Sequence, residues 1–280
     1  MKLVLCTLVL NEMEWLPKLY EQHRNWPDMV EWIFVESADV SYASVNPEMV
    51  SADGLSVDGT TEYLAELART DSRVTHIKHG FCSAKDVAQA KCEARDRYLE
   101  VMEGIKPKYF IVLDADEFYS LEAQKDISYL LPRKLGDGFV FNHRDVWYPP
   151  YLQEHETPLF QYEVAGGFWD IPYCRAWRWY TGMKHADHNT PCHSNLPTNK
   201  VLNIMRGDDF PYMVHMGFAS NLPNRAAKHR YYEHRGEAND RWRIKHCDSR
   251  RCFEVWTPRT VLPCRARVQF YTGIIPECFQ

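Results

Sequence analysis

The sequence predicts an α/β protein with a mostly parallel central sheet and helices on both faces of that sheet. Two observations predict this class. Apolar runs alternate with stretches of helical periodicity through the first half of the chain, and the strongest of these runs are short enough to be strands buried on both faces. The chain has 280 residues, of which 45% are hydrophobic, so it can bury a sizeable core and is not disordered or fibrous.

The first predicted elements are a strand, a helix and a second strand. Residues 3–10 form a nearly continuous apolar run, and the helix that follows Asn11 has apolar positions at helical spacing through His23. The second strand covers residues 31–36, and a loop of about twenty residues follows it. The segment from Asp58 to Thr61 then caps a second helix, because Asp and Thr side chains accept hydrogen bonds from the first turn.

The next predicted elements lead to an acidic cluster. A short strand covers residues 74–77, a long helix covers residues 87–102, and residues 108–113 form the clearest strand of the chain. This last strand ends in the sequence Asp114-Ala115-Asp116-Glu117. Ligands of open parallel sheets bind beyond the carboxyl ends of the strands, so we expect the chemistry of this protein to lie at this cluster.

The second half of the chain loses the simple alternation. Residues 138–142 predict a further strand, and residues 146–180 contain eleven aromatic residues, which form either core or a platform for a sugar ring. We predict one domain over residues 1–235, divided into halves at 1–120 and 121–235. Residues 236–280 form a C-terminal extension.

Charge and cysteine content exclude several classes of protein. The net charge of −5 gives no basic field for nucleic acid, and no run is long enough to span a membrane. The apolar start of the chain resembles a signal peptide, but acidic residues follow it at once and no cleavage site is visible, so we predict a buried strand. Nine cysteines is an odd and modest number, which favours reduced thiols and a soluble cytoplasmic protein.

Two groups of cysteine and histidine residues have a loose similarity to zinc-ligand spacing. One is the set of C-terminal cysteines with His246, and the other is the pair His76 and His79. Neither spacing matches a compact site, so the sequence predicts neither a structural zinc ion nor disulfides there.

Asp114 and Asp116 are the principal candidates for metal binding. If the backbone stays extended, residues i and i+2 point to the same side, and both carboxylates of this Asp-x-Asp (DXD) pair then reach one hard cation. Mg²⁺ or Mn²⁺ held by one or two carboxylates keeps its other positions for water and phosphate oxygens. The alternative is an ordinary turn at the end of a strand, where Asp is common.

Five sets of residues follow one another in a characteristic order. They are TLVLNE at 7–12, SVDGT at 56–60, DVAQAKCEA at 86–94, DADE at 114–117, and, in the second half, RAWR at 175–178 with HN at 188–189, HMGF at 215–218 and Lys228. In this order they resemble glycosyltransferase family 2, whose members have the GT-A fold. The resemblance covers roughly residues 3–235 and implies a nucleotide-sugar-binding half at 1–120 and an acceptor half at 121–235. The chain departs from the family where Glu36 replaces the usual Asp, where about eighteen residues are inserted after it, and where Lys91 and Cys92 stand for Arg and Asn.

The resemblance implies transfer of a sugar from a nucleotide-diphosphate donor, most simply a UDP-sugar, to a hydroxyl of a glycan, lipid or protein acceptor, with inversion. It implies a Mn²⁺ or Mg²⁺ cofactor held on the diphosphate by Asp114 and Asp116, with His215 as a third ligand or a diphosphate contact. The implied donor contacts are Thr7, Glu36, Asp86, Asp114 and Ala115.

Cations and a general base complete the expected chemistry. Four basic residues follow His215 and suit contact with phosphate, although a solvated helix face explains them equally well; they are Arg225, Lys228, Arg230 and Arg235. A base must lie within hydrogen-bond reach of the acceptor hydroxyl. Asp187, which His185 and His188 would keep ionised, and Asp170 are the candidates. Three glutamates stay open as alternatives, namely Glu154, Glu156 and Glu163.

Two other functions compete with glycosyl transfer. A sugar nucleotidyltransferase also uses a doubly wound sheet and acidic metal ligands, but residues 8–14 contain no glycine-rich phosphate loop. A carbohydrate-binding protein without turnover is the non-enzymatic alternative, and its ligand affinity would not depend on manganese.

Overall fold

The computed structural model describes residues 1–84, 87–134, 136–147, 162–165, 173–187, 190–192, 202–205, 211–218, 222–234, 245–247, 252–257, 264–270 and 275–280. Its helices are α1 (Leu16–His23), α2 (Val40–Val45), α3 (Thr60–Thr70), α4 (Val87–Ile105), α5 (Leu121–Leu130) and α6 (Leu222–His234). Short 3-10 helices cover Pro47–Met49 and Glu277–Phe279.

The strands divide into three groups along the chain. The first group is β1 (Leu3–Val9), β2 (Met29–Ala38), β3 (Val74–Phe81), β4 (Tyr109–Val112) and β5 (Glu117–Phe118). The second group is β6 (Gly138–Trp147), β7 (Tyr162–Ala165), β8 (Tyr173–Arg178), β9 (Lys184–Asp187), β10 (Thr190–Cys192), β11 (Leu202–Met205) and β12 (Tyr212–Phe218). The third group is β13 (Lys245–Cys247), β14 (Cys252–Thr257) and β15 (Cys264–Phe270).

Six strands form the centre of the sheet, in the order β3-β2-β1-β4-β8-β6. The first four are mutually parallel, and β8 runs antiparallel to both of its neighbours. This arrangement confirms the predicted α/β class with a mostly parallel central sheet.

Helices cover both faces of this sheet, as predicted. Alternate residues of β1 point to opposite faces, so Leu3 and Leu5 pack with α1, α3 and α5 while Val4 and Cys6 pack with α4. All four side chains are fully buried. The near-continuous apolar run in the first strand therefore reflects burial on two sides.

The second half of the chain extends the sheet beyond β6. β6 pairs in parallel with β11 and β12, and antiparallel with β7, which in turn pairs with β15. β14 and β13 follow β15 in antiparallel order. The strands after residue 235 thus join the sheet through β7, and the domain boundary placed there stays a prediction.

The sequence predicts a plain loop in the twenty residues after β2, and this prediction is wrong. These residues contain α2 and the 3-10 helix at Pro47–Met49, and they pack on α6. The side-chain amide of Asn46 donates to the carbonyl of Ala227 at 3.1 Å, and the hydroxyl of Tyr231 donates to Asp39 at 2.7 Å. This insertion therefore supports the helix that carries Lys228.

The last residues of the chain pack against the first half. The ring of Phe279 lies 4.8 Å from that of Phe118 and 6.2 Å from that of Trp15, and the carboxylate of Glu277 accepts from the amide of Gln22 and from the backbone N–H of Leu121. Within the described residues, none of the helices is long and apolar enough to cross a membrane.

Candidate functional site at the carboxyl ends of the parallel strands

The strand order places a crevice at the ends of β1 and β4. The chain moves from β1 to β2 and β3 on one side, then returns to place β4 on the other side of β1. The connections that leave two such neighbouring strands diverge, and ligands of open α/β sheets bind at this switch point. Glu12 follows β1, and Asp114 and Asp116 follow β4, so the acidic cluster lies where the topology favours a ligand.

Asp114 is held by two buried arginines. Its Oδ1 accepts from Arg95 of α4 at 3.2 Å, and its Oδ2 accepts from Arg175 of β8 at 2.9 Å. Arg95 and Arg175 are 4% and 5% exposed, whereas the side chain of Asp114 is 33% exposed. Burial would raise the pKa of Asp114, but the charges of the two guanidinium groups hold it well below its ordinary value. Both of its oxygens are therefore charged and already hydrogen-bonded to protein.

Asp116 faces a different partner, because the backbone of residues 114–117 turns. The N–H of Glu117 donates to the carbonyl of Asp114 at 3.0 Å, which closes a turn where an extended segment was expected. Asp116 Oδ2 lies 3.4 Å from His215 Nε2. β12 places His215 here by pairing with β5, and the N–H of Met216 donates to the carbonyl of Asp116 at 2.7 Å. Burial raises the pKa of Asp116, and the charge and hydrogen bond of His215 outweigh it, so the net shift is downward.

Two neighbouring glutamates have raised pKa values. Burial raises the pKa of Glu117 to about 7, against the opposing charge of Arg175, which its side chain contacts. Burial and the negative charge of Asp116 together raise the pKa of Glu12 well above its ordinary value. Carboxylates that cannot all ionise at one place mark a site where charge is concentrated.

Several cations act on this acidic cluster. Arg95 and Arg175 contact Asp114, the charge of Lys91 also lowers its pKa, and the charge of Lys228 lowers the pKa of Asp116. Asp58 and Glu14 add negative charge near Glu12. Cations and carboxylates therefore lie together here, an arrangement that can hold a diphosphate through a bridging divalent cation.

The loop between β1 and α1 is fixed by the segment that precedes α3. The backbone N–H of Asn11 donates to Ser56 Oγ at 3.0 Å, that of Glu12 to Thr60 Oγ1 at 2.9 Å, and that of Met13 to Asp58 Oδ2 at 3.0 Å. Asn11 has a φ of 55°, a left-handed conformation that Asn tolerates better than most residues. The first two motifs of the sequence therefore form one network, which positions Glu12 beside Asp116.

The buried carboxylate of Glu36 also accepts hydrogen bonds from this network. Its carboxylate accepts from the backbone N–H of Ser56 at 2.8 Å, from the Thr61 hydroxyl at 2.5 Å and from His76 Nε2 at 3.0 Å. Burial would raise its pKa, and these hydrogen bonds lower it to about 2. Glu36 is fully buried, so a nucleoside contacts its oxygens only by displacing one of these donors.

Thr7 is also fully buried, and its hydroxyl accepts from Trp32 Nε1 at 2.9 Å. Ala115 is also buried, with 3% of the residue exposed. Asp86 and Asp170 lie outside the described residues. Asp187 ends β9, and the described part of the structure includes its backbone but not its side chain.

His185, which the sequence predicts to keep Asp187 ionised, contacts a different carboxylate. His185 Nδ1 and its backbone N–H both lie 2.9 Å from Asp96 Oδ1, and the His185 side chain is 1% exposed. This contact fixes β9 against α4. His185 therefore contacts Asp96, and its role beside Asp187 stays a prediction; His188 lies outside the described residues.

Among the cations after His215, Lys228 and Arg230 have described side chains. Arg230 pairs with Glu48 at 2.5 Å and donates to Asn46 Oδ1 at 2.8 Å, so it fastens the insertion rather than facing the crevice. Lys228 is exposed and acts electrostatically on Glu12 and Asp116. Arg235 lies outside the described residues.

A divalent cation fits part of the predicted ligand set. Asp116 and His215 face each other across 3.4 Å with side chains 14% and 22% exposed, and a cation with two protein ligands leaves positions for phosphate oxygens and water. Asp114 does not fit as a direct ligand while both arginines hold it. Among the described residues, the one group of three ligand atoms that lie within 4.8 Å of one another is elsewhere, at His79, Cys82 and Glu93.

The two arginines are the site residues that the sequence did not single out. Arg175 belongs to one of the segments that resemble the family, and Arg95 directly follows another, one helical turn after Lys91. The available signal was a charged residue among the apolar residues in the middle of a strand, and a second one on the apolar side of a helix. Such residues are almost always paired when buried.

The comparisons with known proteins give a weak structural likeness. No family model and no curated protein matches the chain. The chain is similar to the crystal structure of TarS 1-349 from S. aureus at 12% identity and a TM-score of 0.45, over 84% of this chain and 63% of that one. It is also similar to TarS 1-349 in complex with UDP-GlcNAc at 10% identity and a TM-score of 0.43, over 84% and 66%.

The chain spans less than two thirds of the length of these TarS structures. At this level of similarity the neighbours do not assign an activity to the chain.

Proposed function

We propose that this protein is a GT-A glycosyltransferase of the family 2 type, which moves a sugar from a nucleotide-diphosphate donor to a hydroxyl acceptor. The observation that carries this proposal is the group of cations that act on the acidic cluster at the switch point. The charges of Arg175, Arg95 and Lys91 lower the pKa of Asp114, and the charge of Lys228 helps to lower that of Asp116. A leaving nucleoside diphosphate develops negative charge as the glycosidic bond breaks, and charges already in place stabilise it without reorganisation.

The residues of the proposed donor site act in two ways. The proposed contacts with the diphosphate of the donor come from Asp116, His215 and Lys228. Asp86 and the backbone at Ala115 are further proposed contacts with the donor. Thr7 and Glu36 are buried, so in this proposal they position the loops around the nucleoside. UDP-sugars are the donors to test first.

Asp116 and His215 would hold Mn²⁺ or Mg²⁺, and Asp114 would act through its arginines. When bound, the cation supplies Lewis-acid stabilisation of the departing diphosphate, an effect of several kcal/mol. Asp114 keeps Arg95 and Arg175 beside the cluster, so their charge contributes even though both are buried. Inversion needs a base near the acceptor hydroxyl, and Asp187 and Asp170 remain the proposed candidates.

Ligand-induced stabilisation tests the donor proposal. We expect UDP and UDP-GlcNAc to raise the melting temperature, more strongly with Mn²⁺ than with EDTA. A ligand at 100 times its dissociation constant adds about 2.7 kcal/mol, or roughly 5–10 °C for a chain of this size. The Asp116→Asn variant should lose the Mn²⁺-dependent part. Asp126→Asn, which alters an exposed residue of α5, is the matched control and should behave as wild type.

The outcomes separate the competing functions. A protein that no nucleoside diphosphate stabilises, at millimolar concentration and with either metal, contradicts the proposal. Stabilisation that EDTA leaves intact contradicts the metal part alone and leaves the diphosphate to the protein cations. Binding without release of UDP from any UDP-sugar indicates a carbohydrate-binding protein. Release of pyrophosphate from UTP and a sugar 1-phosphate indicates a nucleotidyltransferase.

A further inference from the structure

A second group of ligating side chains lies at the end of β3, apart from the proposed donor site. It consists of His79 in β3, Cys82 just after that strand and Glu93 in α4. One ligand atom of each lies within 4.8 Å of the other two. The three side chains are largely buried: His79 is 13% exposed, Glu93 is 22% exposed and residue Cys82 is 2% exposed.

A β-bulge brings His79 and Cys82 to the same face of the sheet. Along a regular strand, residues three apart point to opposite faces. Here Lys78 pairs with Glu36 while Gly80 pairs with Ser37, so one extra residue is inserted at His79 and the alternation shifts by one. Gly80 has a φ of +74°, and a Cβ there would lie 2.4 Å from the carbonyl oxygen of Asp53, so only glycine fits this bulge.

The carboxylate of Glu93 is fixed by donors from residues 83 and 84. The Ser83 hydroxyl donates to Oε2 at 2.8 Å, and the backbone N–H groups of Ser83 and Ala84 donate to it at 2.9 Å and 3.2 Å. Oε1 lies 3.2 Å from His79 Nε2 and also accepts from the backbone N–H of Ser83 at 3.0 Å. Ligands held in this way by outer partners bind metals more tightly, because their orientation is already set.

The distances and charges suit a tetrahedral zinc ion. With Zn–N and Zn–O bonds of about 2.0–2.1 Å, neighbouring ligand atoms of a tetrahedron lie about 3.3 Å apart, close to the separation of His79 and Glu93. Thiolate, imidazole and carboxylate are the ligand types that Zn²⁺ takes in proteins. The thiolate and carboxylate together also balance the two positive charges, so the complex adds no net charge to a largely buried place.

We propose that His79, Cys82 and Glu93 form a Zn²⁺ site that fastens the connection between β3 and α4. On binding, the Cys82 thiol releases its proton to the buffer and its sulfur bonds to the ion. His79 moves its proton from Nε2 to Nδ1 and offers the Nε2 lone pair. A water molecule completes the tetrahedron. Because one proton is released, the affinity rises with pH.

The site is separate from the cluster at Asp114. Lys91 and Arg95 act on Asp114 and are one helical turn apart on α4, whereas Glu93 is about 200° around the helix from each of them. The zinc proposal therefore does not depend on the proposed activity, and neither result decides the other.

Cobalt substitution tests the thiolate ligand directly. Metal-free protein titrated with Co²⁺ should show the near-ultraviolet sulfur-to-cobalt charge-transfer band and the visible bands of tetrahedral Co²⁺. Cys82→Ser should remove the charge-transfer band, and Cys278→Ser, which alters a partly buried cysteine near the C-terminus, should retain it. Because the chain has other cysteines, the readout is the difference between wild type and each variant. A band absent from wild type, or unchanged in Cys82→Ser, overturns the proposal.

Zinc competition provides the second measurement. Against a chromophoric chelator, Glu93→Gln and His79→Gln should each weaken Zn²⁺ binding at least about 10–100-fold, the loss found when even an outer partner of a metal ligand is removed. Glu100→Gln is the control, because Glu100 is exposed on the same helix. If Cys82→Ser does not fold, as judged by circular dichroism, this comparison decides. Equal affinity in Glu93→Gln, His79→Gln and wild type refutes the site.

Discussion

Replacing Asp114 by asparagine separates its stabilising part from any part in catalysis. The sequence alone suggests that Asp114 and Asp116 are equivalent ligands at an exposed strand end. In the structure Asp114 instead neutralises two buried arginines, whereas Asp116 faces one partly exposed histidine at 3.4 Å. We therefore expect Asp114→Asn to destabilise the fold and Asp116→Asn to leave it nearly unchanged.

The size of the effect follows from the contacts. Asparagine keeps one oxygen acceptor and loses the charge, so one arginine loses its acceptor. Arg175 still contacts Glu117, and the loss therefore falls mainly on Arg95. A hydrogen bond to a charged group contributes about 1.5–3 kcal/mol, and breaking a buried ion pair by removing one partner costs about 3–5 kcal/mol. Solvent at the partly exposed Asp114 reduces this, so we expect about 2–3 kcal/mol, or roughly 5–10 °C in melting temperature.

Urea unfolding followed by circular dichroism measures this difference at pH 7. A double-mutant cycle with Arg95→Met isolates the Arg95–Asp114 pair, and its coupling energy should be about 1.5–3 kcal/mol. Asp116→Asn should lie within about 1 kcal/mol of wild type. Equal stability of Asp114→Asn and wild type, or a larger loss in Asp116→Asn, refutes the division of labour between the two aspartates.

Three further predictions concern the fold around the site. Glu36→Gln should lower the free energy of unfolding by about 3 kcal/mol at pH 7, because the lowered pKa of about 2 stabilises the fold at pH values above the ordinary pKa of 4.5. In urea unfolding, the difference from wild type should vanish as the pH falls from 4.5 through 2. Burial lowers the pKa of His23 to about 4, so the unfolded chain takes up the proton at a higher pH than the folded protein. The free energy of unfolding of wild type should therefore fall by about 3 kcal/mol between pH 6.5 and 4, and that of His23→Gln should not. An equal dependence on pH in both proteins contradicts the assignment. Phe279→Ala should lower the free energy of unfolding by about 2–3 kcal/mol through lost contacts with Trp15 and Phe118, and an unchanged urea midpoint excludes a role for the C-terminal residues in holding α1.

The fold was predictable where the pattern of burial is local. β1 and β4 are buried on both faces, so their sequences are apolar except at Thr7, and their bounds differ from the prediction by one residue at an end. β3 extends four residues further than predicted, to Phe81. The sequence becomes polar after Ile77 because one face there carries the His79 group, and a bulge at that point breaks the alternation.

The candidate site was predictable in its position but not in its internal contacts. The order of the predicted segments indicates where the candidate site lies, because the ends of β1 and β4 meet at the switch point. The partners of each carboxylate come from distant parts of the chain: Arg175 is 61 residues from Asp114, and Ser56 is 20 residues from Glu36. No spacing rule relates such residues, because tertiary packing alone brings them together.

The turn at residues 114–117 gives the two aspartates of the Asp-x-Asp pair different partners. In an extended segment both carboxylates point to the same side, but the hydrogen bond from the Glu117 N–H to the Asp114 carbonyl bends the backbone. Asp114 contacts two buried arginines, while Asp116 lies beside His215. The same two residues can thus serve one ligand by different means: Asp114 by keeping two positive charges in place, and Asp116 by direct contact. A cation requirement that disappears in Asp116→Asn and persists in Asp114→Asn is the signature of this arrangement.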